Sequence, residues 1–378
     1  MKPQKIKVIL IFGTRPEVIK SAPVVKELRK YPKSIESKVI ISAQHRKMAD
    51  QFLGLFKIKA DFDLNIMRPN QTLFDVTGRC LKKLEDILRK EKPHLVLVQG
   101  DTTTSFTASL AAYYLKIKVG HVEAGLRTDD KYRPFPEEMN RRLVSAIGDF
   151  HFSPTTKARQ NLIKEGINPS SIYVTGNTVI DSLLEVARRK FRFDDPFLQK
   201  ICSGKRKIIL VTAHRRESFG KPLESICEAL KEIARLYDVE IIYPVHLNPN
   251  VQVPVRKILA GIKNIHLIEP LEYEPFIHLM KRSYIVLTDS GGVQEEAPSL
   301  GKPVLVMREV TERPEGIKAG CAKLVGMDKK RIISAVKKLL NSKPAYNKMA
   351  KSVNPYGDGK AAKRIVSVIL HSRKRLVR

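Results

Sequence analysis

Val8-Ile9-Leu10-Ile11 runs directly into Phe12-Gly13-Thr14-Arg15-Pro16-Glu17, and the same arrangement returns in the second half, where Ile208-Ile209-Leu210-Val211 runs into Thr212-Ala213-His214-Arg215-Arg216-Glu217. In that alignment Arg15 matches Arg215 and Glu17 matches Glu217. A short apolar run rich in β-branched residues, closed by a turn and followed by a helical pattern, reads as the first strand of a parallel α/β domain, because a strand covered on both faces is apolar throughout. Two such strands predict an α/β fold of two Rossmann-like parallel-sheet domains facing a central cleft. Ligands of open α/β sheets bind outside the C-terminal ends of the strands, so the loops that follow the strands are where function is sought.

Working outward, strand-like runs recur at 6–12, Lys38–Ser42, Leu95–Gln99, Val119–Val122, His151–Ser153 and Ile172–Val174. They recur again at Ile208–Thr212, Glu240–Val245, Ile265–Ile268, Ile285–Thr288, Val304–Met307 and Ala322–Val325. Amphipathic helical patterns lie between them, as at Pro16–Tyr31, where Pro23 predicts a kink or break, and at Thr72–Glu91. The N-terminal domain is expected over 1–175, completed by a helix within 359–378, and the C-terminal domain over 176–358. Phe191–Gly204, with little periodicity, reads as a connector.

A chain of 378 residues suffices for two such cores. It has no uninterrupted apolar run of the roughly 18 residues a membrane span needs, and Met1-Lys2-Pro3-Gln4-Lys5 leads into a strand without a signal-peptide pattern. A cytoplasmic location is expected. Cys80, Cys202, Cys227 and Cys321 are far apart in sequence, which predicts reduced thiols and no metal site. The 69 basic residues outnumber the 39 acidic ones for a net charge of +30, but they are spread over helical patterns such as Lys82-Lys83-Leu84-Glu85-Asp86-Ile87-Leu88-Arg89-Lys90. Solvated helix faces account for most of that excess, and the rest suits a polyanionic small molecule; no nucleic-acid or membrane partner is expected.

Three loops at expected strand ends carry acids: Asp101 after Leu95–Gln99, Glu123 after Val119–Val122, and Glu137-Glu138 at the start of the next helix. An acid at a helix start also serves as a cap. Several from neighbouring strand ends suit proton transfer, with like charges raising the proton affinity of at least one. The second half offers Asp289-Ser290-Gly291-Gly292 after Ile285–Thr288, a turn whose free N–H groups and helix start suit an anion. Arg15, Lys20, His214, Arg215 and Arg313 are cations available to the same anion, and Glu296, one turn into that helix, suits the paired hydroxyls of a ribose. Neither a Walker A pattern nor GxGxxG occurs. The residues therefore describe an enzyme that grips a nucleoside diphosphate and moves protons on what is attached. A glycosyltransferase, an epimerase and a hydrolase all remain open.

The motifs Phe12–Glu17, Gly100-Asp101-Thr102-Thr103, His121–Thr128, Phe135–Arg141, Thr175–Thr178, His214–Glu217, Leu287–Gly292, Gln294–Pro298 and Thr311–Pro314 resemble, in order and over nearly the whole chain, the non-hydrolysing UDP-N-acetylglucosamine 2-epimerase family. The resemblance implies a glycosyltransferase-B-like fold, usually a homodimer, interconverting UDP-N-acetylglucosamine and UDP-N-acetylmannosamine without NAD or an essential metal. The implied route eliminates UDP to a 2-acetamidoglucal and adds it back after protonation from the other face. It implies Asp101, Glu123, Glu137 and His214 as catalytic, and Arg15, Lys20, Phe276, Ser290, Gly291, Gly292, Glu296 and Arg313 as nucleotide contacts. Gln44, Arg215 and His246, with Glu137, resemble parts of a site where some relatives bind activating substrate, although Lys47 and Asn70 depart from it. Leu271 replaces a Gln that touches the nucleotide in some relatives.

Overall fold

The computed structural model describes residues 4–42 and 46–377, without the side chains of 46–50. By internal contacts the chain divides into two compact units, Met1–Ser182 with Gly357–Arg378, and Leu183–Tyr356. The first changeover falls inside the helix Thr178–Ala187, a few residues beyond the boundary expected at 175.

The first unit holds a seven-stranded sheet in the order β3-β2-β1-β4-β5-β6-β7, formed by β1 (Ile6–Phe12), β2 (Ile35–Ile41), β3 (Phe62–Asp63), β4 (Leu95–Gln99), β5 (Lys118–Val122), β6 (Phe150–Ser153) and β7 (Ile172–Val174). The second holds a six-stranded sheet in the order β10-β9-β8-β11-β12-β13, formed by β8 (Lys207–Thr212), β9 (Val239–Pro244), β10 (Ile265–Ile268), β11 (Ile285–Thr288), β12 (Val304–Val306) and β13 (Ala322–Leu324). All the strand pairs are parallel. The strand order reverses between β1 and β4 in one sheet and between β8 and β11 in the other, the positions at which open α/β sheets receive ligands. The two parallel-sheet domains expected from the repeated apolar run are present, with β1 and β8 at matching places.

Helix spacing explains how each sheet is covered. Val76, Cys80, Leu84 and Leu88 recur every four residues along the helix Leu73–Glu91 and pack on Ile9, Ile11, Val96 and Val98 of β1 and β4. In the second unit Leu223, Ile226, Cys227, Leu230 and Ile233 of the helix Lys221–Leu236 cover Ile209 and Val211 of β8 in the same way. The four cysteines are free and buried. No helix among the described residues is long and apolar enough to cross a membrane.

Three expectations need correction. Phe191–Gly204, read as a connector of little periodicity, contains a helix, Pro196–Ser203, whose first turn is capped by Asp195, which accepts from the Phe197 N–H at 2.8 Å, while Leu198 and Cys202 turn inward one turn apart. The second strand begins at Ile35 rather than Lys38, because Ile6 of β1 pairs with Ile35, and the polar Glu36-Ser37-Lys38 masked the apolar pattern. Pro23 does not break its helix, which runs over Arg15–Leu28. A proline there leaves the carbonyl four residues earlier without its N–H donor, and the Ser182 hydroxyl donates to that carbonyl, Ile19 O. Against this helix packs Ala361–His371, so the chain's last long helix completes the first unit. Its first N–H groups, from Ala361 and Ala362, donate to the Asp181 carboxylate at 3.2 and 3.0 Å. Burial pushes the Asp181 carboxyl up to about 6.

Candidate active site

In the first unit the sheet's C-terminal edge gathers the turns after β1, β4 and β5. Gly13 lets the turn after β1 lie close to those after β2 and β4: a Cβ there would lie 1.8 Å from the Ser42 hydroxyl, which is itself hydrogen-bonded to Thr104 at 2.9 Å. Glu123, directly after β5, has a left-handed backbone with φ of 67° and a buried side chain. Gly125 holds the same turn at φ of 92°, and a Cβ there would fall 2.2 Å from the Ala158 carbonyl, so only glycine fits. The Glu123 carboxylate accepts from Lys20 Nζ at 2.7 and 2.6 Å, from Asn177 Nδ2 at 3.0 Å, and from the Gln99 amide. Its neighbour His121 is fully buried, with Nε2 2.8 Å from the Gly100 carbonyl, and burial pushes its pKa down to about 3, leaving a neutral ring.

Asp101, after β4, receives Arg141 Nε and Nη2, each at 2.7 Å, and its backbone carbonyl accepts from Asn140. Arg141 also reaches Glu138 at 3.1 Å, and Glu138, fully buried, takes a second guanidinium from Arg142. Glu137 opens the helix Glu137–Ile147 with Oε2 buried and without a hydrogen-bond partner. The expected cluster of mutually repelling acids is therefore corrected. Lys20 neutralises Glu123, Arg141 neutralises Asp101, and Glu138 belongs to the ion-paired framework rather than to an open site. The ammonium of Lys20, a residue expected at the nucleotide, lies on Glu123. Arg15 is exposed at the head of its helix, its guanidinium 5.1 Å from the centre of the Phe52 ring.

In the second unit the turns after β8 and β11 are joined. Asp289, fully buried, accepts the backbone N–H groups of His214 and Arg215 at 2.7 Å each. His214 stacks on the exposed His246 with ring centres 5.4 Å apart, and burial lowers its pKa against the opposing pull of the Asp289 carboxylate. Arg215 reaches the glycine turn: a Cβ on Gly291 would lie 3.7 Å from its Nη2. The Ser290 N–H, expected among the phosphate donors, donates to the Thr288 hydroxyl at 2.9 Å. Gly291 and Gly292 open the short helix Gly291–Glu296, in which Glu296 is buried and Glu295 holds the Arg313 guanidinium. Phe276 is half-buried on the helix Tyr273–Arg282. Gln44 lies outside the described residues.

Several residues that shape these sites were not singled out in the sequence. Gln99 and Asn177 fix Glu123, Arg141 fixes Asp101, and Asp289 fixes His214 and Arg215. Asn177, Arg141 and Asp289 stood inside recognisable motifs, but no spacing rule tied them to their partners.

The sequence profile of UDP-N-acetylglucosamine 2-epimerase matches residues 26–370. The UDP-N-acetylglucosamine 2-epimerase of Escherichia coli strain K12 is 53% identical over 375 residues, covering 97% of this chain and 99% of that protein. The Neisseria meningitidis UDP-GlcNAc 2-epimerase, crystallised bound to UDP-GlcNAc, superposes with a TM-score of 0.84 at 50% identity, covering 97% of this chain and all 100% of that one. The Methanocaldococcus jannaschii enzyme of the same name gives 0.86 at 37% identity, covering 97% and 100%. With a family profile over most of its length and close relatives end to end, the chain belongs to the UDP-N-acetylglucosamine 2-epimerase family of isomerases.

Proposed function

We propose that this chain interconverts UDP-N-acetylglucosamine and UDP-N-acetylmannosamine by inverting the sugar at C2. The C2 proton has no adjacent carbonyl to acidify it, so the route runs through elimination. A base removes the C2 proton, the C1–O bond breaks with its electron pair leaving on the β-phosphate of UDP, and C1 and C2 become doubly bonded in a 2-acetamidoglucal. An acid then protonates C2 from the opposite face, and the β-phosphate oxygen of UDP re-forms its bond to C1.

The observation that carries this reading is the placement of Asp101 and Glu123 at the ends of adjacent strands, β4 and β5, each held by its own hydrogen bonds, with Glu137 keeping a buried oxygen unpartnered. Two faces need two acid/base groups, each contributing about 10²–10⁴-fold, and these three acids supply them. Charge on the departing phosphate is met by Arg15, His214 and the Gly291-Gly292 N–H groups, whose charge-assisted hydrogen bonds are worth about 1.5–3 kcal/mol each. Phe276 offers an aromatic surface to uracil, Glu296 accepts from the ribose, and Arg313 adds a guanidinium for the nucleotide. Arg215 and His246 belong to a neighbouring subsite for activating substrate. The enzyme works as a homodimer in the cytoplasm, where its four thiols stay reduced, and its product feeds surface polysaccharide or glycan synthesis.

Incubation with UDP-N-acetylglucosamine in D2O, followed by NMR of C1 and C2, tests this. The expected product is UDP-N-acetylmannosamine carrying deuterium at C2. Free amino sugar with UDP as the sole products, or an epimer that keeps its C2 proton, overturns the proposal.

A further inference from the structure

Glu17 is 2% exposed and stands three residues into its helix, where a glutamate ordinarily reaches back to the cap N–H. One of its oxygens does this: Oε2 accepts from the N–H groups of Thr14 at 2.7 Å and Gly13 at 3.0 Å. Helix capping does not account for the other. Oε1 accepts from the Thr102 hydroxyl at 2.6 Å and from the Ser105 hydroxyl, shared with the Gln99 carbonyl, at 2.9 Å, groups 85 and 88 residues away in sequence. The two oxygens thus face two different turns, one after β1 that carries Arg15 and one after β4 that carries Asp101. Burial alone pushes the Glu17 carboxyl up from its ordinary range, against the pull of these donors.

The second unit has the same device built from the other side. Asp289 follows β11, the fourth strand of its sheet, and accepts the N–H groups of His214 and Arg215 after β8, the first strand. Glu17 follows the first strand of its own sheet and reaches the fourth. In each unit a buried carboxylate ties the two turns at the point where strand order reverses, so the device is not an accident of one loop.

We propose that Glu17 is a positioning residue for the reaction, setting the Arg15 turn and the Asp101 turn in fixed register with one another. This rests on the roles given above to Arg15 and Asp101. Oε2 governs the phosphate-side group and Oε1 the acid/base group, so the two halves of the clasp separate in kinetics.

The test compares E17Q, T102V and T102S in the full chain. E17Q replaces one acceptor oxygen with a donor that faces existing donors. It is expected to fold while losing about a hundredfold in kcat, the scale of a 1 Å misplacement, with a raised KM. T102V removes the hydroxyl's bond to Oε1 together with the cap it gives the Ser105 N–H at 3.1 Å, leaves the Gly13 and Thr14 side intact, and is expected to lower kcat by about tenfold with KM unchanged, while T102S, which keeps both bonds, restores kcat. E17Q with wild-type kcat and KM, T102V raising KM in step with its loss of kcat, or T102S no better than T102V each overturns the proposal. If E17Q does not fold, the two Thr102 variants decide. A wild-type chain inactive on the nucleotide sugar overturns the functional proposal instead. Hydrogen exchange at the Gly13 and Thr14 amides then reads the clasp: slow in wild type and fast in folded E17Q supports it, and equal rates overturn it.

Discussion

Lys20 Nζ lies 2.6 and 2.7 Å from the two oxygens of the Glu123 carboxylate, joining the first helix of the chain to the end of β5. A buried carboxylate needs such a cation, because an ionised group out of water is tolerated only when paired and hydrogen-bonded. Lys20 therefore shares with Gln99 and Asn177 the orienting of Glu123 and supplies the positive charge beside its carboxylate.

Replacing Lys20 by Met leaves that carboxylate without its cation. The pair is only partly buried, so a loss of about 2 kcal/mol is expected, below the roughly 3–5 of a fully buried pair. Turnover should fall by at least about a hundredfold. Urea unfolding and steady-state kinetics on the same preparation check both, and a variant as active as wild type removes Lys20 from the site.

His121 makes a pH-dependent contribution whose sign follows from its neutral buried ring. Its folded pKa of about 3 lies below the ordinary value of 6.5, so the unfolded chain binds the extra proton first. The stability it confers is fully present above pH 6.5 and is lost as pH falls towards 3. Between pH 6.5 and 5 the loss is about 2 kcal/mol. The stability gap between wild type and His121→Gln should narrow by that amount over this interval in urea titrations. Asp181, whose raised pKa gives the opposite slope between 3.8 and about 6, is unchanged in the comparison and cancels.

Gly125→Ala puts a Cβ 2.2 Å from the Ala158 carbonyl at a φ that alanine resists. Strain of this kind costs about 1–3 kcal/mol before the clash is counted. Thermal unfolding should show a clear drop in Tm, with turnover reduced through the displaced Glu123 turn. An unchanged Tm contradicts the geometry.

The Ser182 bond to the Ile19 carbonyl gives a double-mutant test. Ser182→Ala strands that carbonyl beneath Pro23 and should cost about 1–3 kcal/mol. In a Pro23→Ala background the restored N–H satisfies it, and the same change should cost about half as much or less. Equal costs in both backgrounds show that the hydroxyl does not compensate for the proline.

Much of the architecture was legible in sequence because it depends on local pattern. Val8–Ile11 and Ile208–Val211 announce buried parallel strands by composition alone, and the acids and glycines that follow strands lie where ligands bind. Partners were not legible. Glu123 meets Gln99, Asn177 and Lys20 across 24, 54 and 103 residues, and Asp101 meets Arg141 across 40, separations that no periodicity encodes. Isolated carboxylates in a list thus suggested mutual repulsion, where folding supplies each of the two with a guanidinium or an ammonium. The helix Pro196–Ser203 was missed for a related reason: eight residues offer too few turns for its Leu198 and Cys202 stripe to register.

The helix Ala361–His371, which closes the first unit against Arg15–Leu28, is translated only after the whole of the second unit. On the ribosome the earlier half must therefore wait, its Ile365, Val366 and Ile369 seat unfilled, while Leu183–Tyr356 already has every strand it needs. The later-made body is thus free to mature before the earlier one is complete.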